Sequence, residues 1–309
     1  MPLLIPYIKH PLTFAEQIRH LEQKGMHFTD RAKAEHCLAS ISYYRLSGYW
    51  YPFRVRDVDN KVTDQFEENT FFDDVIILYE ADRRLRSLIL DAIERIEIAV
   101  RTQFTYHMGH QYLAFGYINS NHFHPQFNHA RWLRKLEEEV LRSRDDFIGH
   151  YKTKYEGFPT IPIWMLTEVM SLGALSFGYN GLLNDQKSGV EDKKAIAQHF
   201  NIHHKQLGSW LHTLTYVRNI CAHHSRLWNR QLSIKPDKTK DQDWLPPITP
   251  KNDRVFYILL MLRHLLRATG NGNKWAEDVN LTLAPLTATP RWRVAMGIPE
   301  HWRDHPVWK

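Results

Sequence analysis

Cysteine is nearly absent. Among 309 residues only Cys37 and Cys221 occur, so neither a disulfide framework nor a Cys-rich zinc site can be assembled, and the chain fits a reducing compartment. Long apolar runs are missing too. The longest one near the C-terminus, Val255 to Leu262 (VFYILLML), is closed by Arg263. It falls well short of the roughly 20 residues that a membrane helix needs and reads as a buried helix. The leading MPLLIPYIKH has neither a basic start nor a long apolar core, so no signal peptide is expected there. Strand signals are sparse, and internal repeats and low-complexity tracts do not occur. No linker is distinct enough to cut the chain by composition alone.

Neither sign of charge dominates: 40 Lys and Arg against 34 Asp and Glu leave +6. That balance favours a polyanionic partner without demanding one. With 43% hydrophobic and 24% charged residues the chain is an ordinary globular protein, long enough for a real core. What is abundant is ring chemistry: 13% aromatics, with 10 Trp and 14 Tyr, and 19 His. Aromatic rings can stack unpaired bases, and imidazoles can move protons near neutral pH. Core packing and plain surface exposure are the simpler roles for the same residues.

Helical periodicity runs through most of the chain. Residues 13–24 (TFAEQIRHLEQK) put Phe14, Ile18 and Leu21 on one face behind Thr13 as N-cap, and Gly25 stops the helix. A second helix is expected over 30–46, capped by Asp30, and it overlaps the aromatic-dense SISYYRLSGYWYPF (40–53). The alternation of FRVRDV and KVTDQF around Asp59-Asn60 predicts a short hairpin within 53–66. From Phe72 to about His107 the residues Leu78, Leu85, Ile89, Ala92, Ile93, Ile96 and Val100 keep the helical period. A His- and aromatic-rich loop (110–128) precedes a charged helix over 129–148. GFPTIPIW (157–164) reads as a Pro-punctuated turn, followed by an apolar helix over 163–177 with one carboxylate, Glu168. Further helices are expected from about Glu191, over 205–228, and from about Asp253 to Thr269 after a Pro-rich loop, LPPITP (245–250). The tail, RWRVAMGIPEHWRDHPVWK, reads as irregular structure. The fold class is all-α: a helical bundle-like domain (71–309) with an N-terminal helical and aromatic extension (1–70) and one weakly signalled β-hairpin.

The helix over 205–228 holds the chemistry. At about 100° per residue from Leu207, the side chains of Leu211, Leu214 and Cys221 gather into a stripe, with Val217, Trp210 and Trp228 beside it. Arg218 falls at about 20°, near the middle of that stripe, whereas His212, Asn219 and His223 share a polar flank between about 120° and 160°. A guanidinium on an apolar face needs a partner. A carboxylate such as Glu168, a polar group of a neighbouring subunit and a phosphate would each serve. Asn219 and His223, four apart, can interact, so the amide is a candidate for orienting the imidazole.

Spacing alone carries no weight. An Arg followed five to seven positions later by His is expected about four times by chance in this composition. It occurs as Arg31 with His36, Arg101 with His107, Arg144 with His150, and Arg218 with His223 and His224. Only the last has Asn after the Arg, an apolar helix around it and a basic aromatic run behind it. That run, VRNICAHHSRLWNR (217–230), resembles the abortive-infection AbiD/AbiF (Abi-like) family, a branch of the HEPN superfamily. YYRLSGYWYPFR (43–54), IERIEIAVRTQ (93–103) and MGIPEHWRDHPVW (296–308) resemble the family's N-terminal signature, central helix and C-terminal tail. The resemblance thus reaches across nearly the whole chain.

The resemblance implies a HEPN-like bundle and a metal-independent endoribonuclease that needs no cofactor. It implies a homodimer in which the Arg-Asn-x-x-x-His motifs of two chains meet, and a role in bacterial anti-phage defence, in some relatives together with a structured noncoding RNA. The motif falls on Arg218, Asn219 and His223. His224, Arg226 and Arg230 are secondary candidates for holding RNA. RNA and a second copy are the expected partners, no membrane is expected, and the expected location is cytoplasmic. Tyr43, Tyr44 and Trp50 read as aromatic core before base-stacking platforms. Arg101 with His107 lacks the Asn and stays outside the site. Two other readings remain open: an RNA-binding HEPN protein without catalysis, and a metal hydrolase built on His122-x-His124 or His203-His204. The latter pairs lack any further ligand at a recognisable spacing.

Overall fold

The computed structural model describes residues 6–8, 10–184, 191–239, 241–245, 251–270, 272–287 and 289–309. Residues 1–5 of the leading segment and 246–250 of the Pro-rich loop therefore lie outside the described residues. The chain divides into two compact units, Met1–Arg84 and Leu85–Lys309. Among the described residues thirteen α-helices and one two-stranded sheet occur, so the fold is all-α with a small hairpin, as the periodicity predicts.

In the first unit, α1 (Phe14–Glu22) begins at a capping box: the Thr13 hydroxyl accepts from the Glu16 N–H, and the Glu16 carboxylate accepts from the Thr13 N–H. Ile18 and Leu21 are buried, but Phe14, expected beside them, is largely exposed. Asp30 caps α2 (Arg31–Ile41), which ends five residues short of the expected 46. The cause is Ser42, whose φ of 71° leaves the helical region and whose hydroxyl accepts from the Arg45 N–H to start α3 (Tyr43–Trp50). Trp50 and Tyr49 of α3 are core, and Tyr49 donates to the buried Asp82 carboxylate at 2.7 Å; Tyr44 is exposed. The hairpin is present. β1 (Arg54–Arg56) pairs antiparallel with β2 (Val62–Phe66), and Asn60 turns between them at φ 61°. The long helix α4 (Phe72–Tyr112) begins in this unit and runs beyond the expected end near His107, with Gly109 inside it.

In the second unit, Leu85, Ile89, Ala92, Ile93, Ile96, Val100, Phe104 and Met108 of α4 are all buried, one stripe at helical spacing. Two segments expected as single helices are each broken. The charged one divides into α5 (His129–Arg142) and α6 (Asp146–Lys154), because Ser143 turns extended and its hydroxyl donates to Asp145 at 2.6 Å. The apolar one divides into α7 (Ile163–Val169) and α8 (Leu172–Gly181). Met170 is extended there, and the Ser171 hydroxyl restarts the helix by accepting from the Ala174 N–H. Glu139 of α5, 3% exposed, receives both the N–H and the hydroxyl of Ser171, at 3.0 and 2.7 Å.

After α9 (Asp192–His199) comes α10 (His204–Ala222), which packs on α8. A Cβ at Gly208 would stand 2.2 Å from Asn180 Oδ1, and the Asn180 amide donates to the Gly208 carbonyl at 3.1 Å. Only glycine permits that approach. α11 (Val255–Arg267) has 11 of its 13 residues buried, so it forms the centre of the unit. α12 (Gly272–Leu286) packs on α11 and was not foreseen, since Pro285 inside it reads as a breaker. The tail expected to be irregular contains α13 (Pro290–Met296), ended by Gly297 at φ 75°. It then folds onto the core, with Trp302 and Trp308 ring to ring against Phe256 at 5.5 and 5.8 Å. Among the described residues no helix is long and apolar enough to cross a membrane.

Candidate functional site

Leu207, Trp210, Leu211, Leu214, Val217 and Cys221 of α10 are all buried. This apolar stripe holds the helix against the unit and fixes the direction of everything on its other faces. His212 and Asn219 are exposed on the opposite flank, and Arg218 is half-buried at the stripe's margin, not sunk in its middle. The helix stops six residues earlier than expected. His223 is its C-cap at φ −86°, ψ 11°, and His224 follows in the left-handed region at φ 55°. That break leaves the His223 side chain exposed at the very end of the helix.

The residues beyond it are not a fraying end. The Ser225 N–H donates to the Ile220 carbonyl at 3.0 Å, and Arg254 Nη1 donates to the Asn229 carbonyl at 3.2 Å. Leu227 and Trp228 are buried, Trp228 edge-on to Trp292 with centroids 5.9 Å apart. The strongly turned backbone after His223 is thus anchored on both sides. Of the secondary candidates, His224 is exposed and Arg226 and Arg230 are half-buried in this anchored segment.

Arg218 Nη1 donates to Asn219 Oδ1 at 3.3 Å. The Asn219 main-chain carbonyl in turn accepts from the His223 N–H at 3.0 Å. The Asn219 amide oxygen therefore serves Arg218, whereas sequence spacing suggested it for the imidazole. The carboxylate on which the charge of Arg218 bears also differs from the one expected. Glu168 is exposed on α7. Instead Glu97 of α4, its side chain 15% exposed, feels the positive charge of both Arg101 and Arg218. Burial still pushes the Glu97 carboxyl above its ordinary value, against the pull of the two arginines.

Arg101 ties this carboxylate into the scaffold. Its Nη2 donates to Glu97 Oε1, one turn back on α4, and to the Met170 carbonyl at the α7–α8 break, 2.6 Å away. Glu97 and Arg101 are the residues that sequence reasoning missed. The signal was there, since they are an i, i+4 pair inside IERIEIAVRTQ. Arg101 turns to Glu97 and the Met170 carbonyl, not to the His107 that its spacing suggested.

Around Tyr112 the His-rich stretch is structural. His122 stacks on Tyr112 with centroids 3.7 Å apart, and its Nδ1 bonds to the Gly116 carbonyl at 2.8 Å. His203 and His204 lie against each other at 4.2 Å. Among the described residues no group of three or more His, Cys, Asp or Glu side chains could hold a metal ion.

The surroundings of α10 thus present a half-buried guanidinium, an amide hydrogen-bonded to it and a solvent-facing imidazole at an anchored helix end. A family model described as Abi-like protein matches residues 36–229, which takes in α4, the α7–α8 break and the whole of this site. No curated protein and no solved structure matches the chain.

Proposed function

As the chain belongs to the Abi-like protein family, whose general role is abortive infection, we propose that it is a metal-independent, HEPN-type endoribonuclease of anti-phage defence. Arg218, Asn219 and His223 are its catalytic residues, RNA is its substrate, and a homodimer is its working form in the cytoplasm. A structured noncoding RNA is a fitting regulator. The observation that carries this reading is the Arg218–Asn219 hydrogen bond beside an exposed His223 at a helix end pinned on both sides.

The reaction needs few parts. The ribose 2′-oxygen attacks the adjacent phosphorus, a bond forms between them, and the bond from phosphorus to the 5′-oxygen breaks. One proton leaves the 2′-hydroxyl and one reaches the departing 5′-oxygen. An imidazole such as His223 can perform either transfer. A guanidinium such as Arg218 offers forked donors to the phosphate oxygens and stabilises the charge of the phosphorane. Asn219 steadies Arg218 through its amide oxygen. His224, Arg226 and Arg230, which follow His223 in the chain, hold neighbouring phosphates in this reading. The second proton transfer falls to the His223 of a second copy. Products are a 2′,3′-cyclic phosphate and a 5′-hydroxyl, and DNA is spared because it lacks the nucleophile.

The test compares wild type with His223→Ala and Arg218→Ala, with EDTA present, on end-labelled structured and single-stranded RNAs. Cleavage by wild type alone, with cyclic-phosphate ends, is the expected result. Each substitution is expected to lower the rate by about 10²-fold or more with unchanged circular dichroism. Cleavage that persists in either folded variant would remove that residue from the chemistry. RNA bound tightly yet left intact by all three would favour the binding protein without catalysis.

A further inference from the structure

A cavity of about 500 Å³ lies between α4 and α7, within the usual size of small-ligand pockets, roughly 300–1,000 Å³. Its apolar walls are Ile98, Tyr106 and Trp164, 55%, 55% and 51% exposed. Three large apolar side chains left open together in one concavity mark a surface that something else covers. Its polar edge comes from Arg101, His110 and Glu168.

We propose that this cavity is a subsite for one unpaired base of the RNA, flanking the phosphate held at Arg218. The proposal rests on the nuclease reading for its place in the reaction, though not for binding itself. Aromatic faces with donors and acceptors at the rim are what a splayed base requires: a ring to stack on and partners for its edge. The rings are set in advance. His110 lies against Tyr106 with centroids 4.1 Å apart, and its Nδ1 bonds to the Tyr106 carbonyl at 2.8 Å. Arg101 is fixed by Glu97 and the Met170 carbonyl, so its guanidinium stands in place at the cavity, and base edges are rich in acceptors for such a group. Glu168, also in the lining, can accept from an exocyclic amine.

The cavity is linked to the motif through Arg101, which pairs with Glu97, whose carboxyl also feels the charge of Arg218. Arg101 holds Met170 at the end of α7, and three residues later Gly173 of α8 lies against Thr215 of α10, where a Cβ would meet Thr215 Cγ2 at 3.6 Å. Thr215 is one helical turn before Arg218. Bases in a duplex are stacked and paired and present no face to such a cavity, so the subsite selects single strands.

The experiment uses the full chain as His223→Ala, to prevent turnover, and fluorescein-labelled oligouridylate, alone or paired with oligoadenylate. Trp164→Ala and Tyr106→Ala are each expected to weaken single-strand binding about ten-fold, as loss of one base–aromatic stack does. Trp164→Phe is expected to keep most of it, and duplex binding should not change. In the cleaving chain Trp164→Ala is expected to raise KM on single-stranded RNA about ten-fold with kcat little altered. Unchanged oligouridylate binding in both alanine variants overturns the proposal. Binding loss that merely follows loss of self-association in sedimentation overturns it too, in favour of a protein-docking surface. His223-dependent cleavage that ignores Trp164 sinks the subsite alone. Trp164-dependent binding without cleavage by any variant keeps the subsite and sinks the nuclease.

Discussion

Glu97 is paired with Arg101 on a largely buried face and also feels the charge of Arg218, so the loss of Arg101 is felt beyond its own helix. Removing one member of a buried ion pair strands the other, at a cost of about 3 kcal/mol or more when burial is deep. The Glu97 and Arg101 side chains are 15% and 21% exposed, so Arg101→Met is expected to destabilise by about 2–3 kcal/mol in urea unfolding. Pairing it with Glu97→Gln should recover part of that, because the buried carboxyl then carries no charge in need of Arg101. If the double variant is as unstable as the sum of the singles, the pair is not the unit of stability at this place. Arg218, Asn219 and His223 could be read from their order in the sequence, as they share one helix. Glu97 could not be matched to Arg218 that way. It lies more than a hundred residues earlier, on a helix whose facing depends on how α4 and α10 pack, and one helical period does not encode that.

At the scale of elements, helix existence was legible and helix breaks were not. Hydrophobic period placed α1, α4 and α10, each with a stripe to bury, whereas α5 was legible as a charged segment and α11 as a continuous apolar run. The breaks at Ser42, Ser143 and Ser171 came from single hydroxyls that compete with the backbone, a contest settled by tertiary partners. Ser171 shows how. Its hydroxyl caps α8 through the Ala174 N–H while donating to Glu139, which also takes the Ser171 N–H. Arg101 binds the carbonyl of the preceding Met170. The α7–α8 corner is thus gripped from two helices, and it carries both the wall of the cavity and the surface on which α10 rests. Ser171→Ala is expected to cost about 1–2 kcal/mol, a lost cap plus a weakened buried acceptor, measured as a shift in thermal midpoint. A variant as stable as wild type would mean that Glu139 and Arg101 suffice to hold the corner. α12 and the folded tail stayed illegible for the opposite reason. Pro285, Gly297 and Pro299 read as breakers, while burial of Trp275, Trp302 and Trp308 against the unit's centre decides their structure.

For the whole molecule the decisive quantity is the number of imidazoles at one reaction centre. The proposed cleavage through the 2′-hydroxyl needs two proton transfers, and the motif offers one exposed imidazole per chain, His223. Its neighbour His224 points from a left-handed residue and takes a different course from the helix end. A two-fold dimer joining the α10 flanks would set two His223 rings around one phosphate and make each site depend on both chains. That dependence is measurable. Wild-type and His223→Ala chains carrying different affinity tags can be co-expressed and the mixed dimer isolated through both tags. If both imidazoles serve one centre, the mixed dimer is expected to fall close to the rate of the His223→Ala homodimer. Two independent sites would instead leave about half the wild-type rate. A rate near half would assign the second proton transfer to a group of the same chain, and His224→Ala would then be the next substitution to make, since no other exposed imidazole lies in the segment that follows the motif.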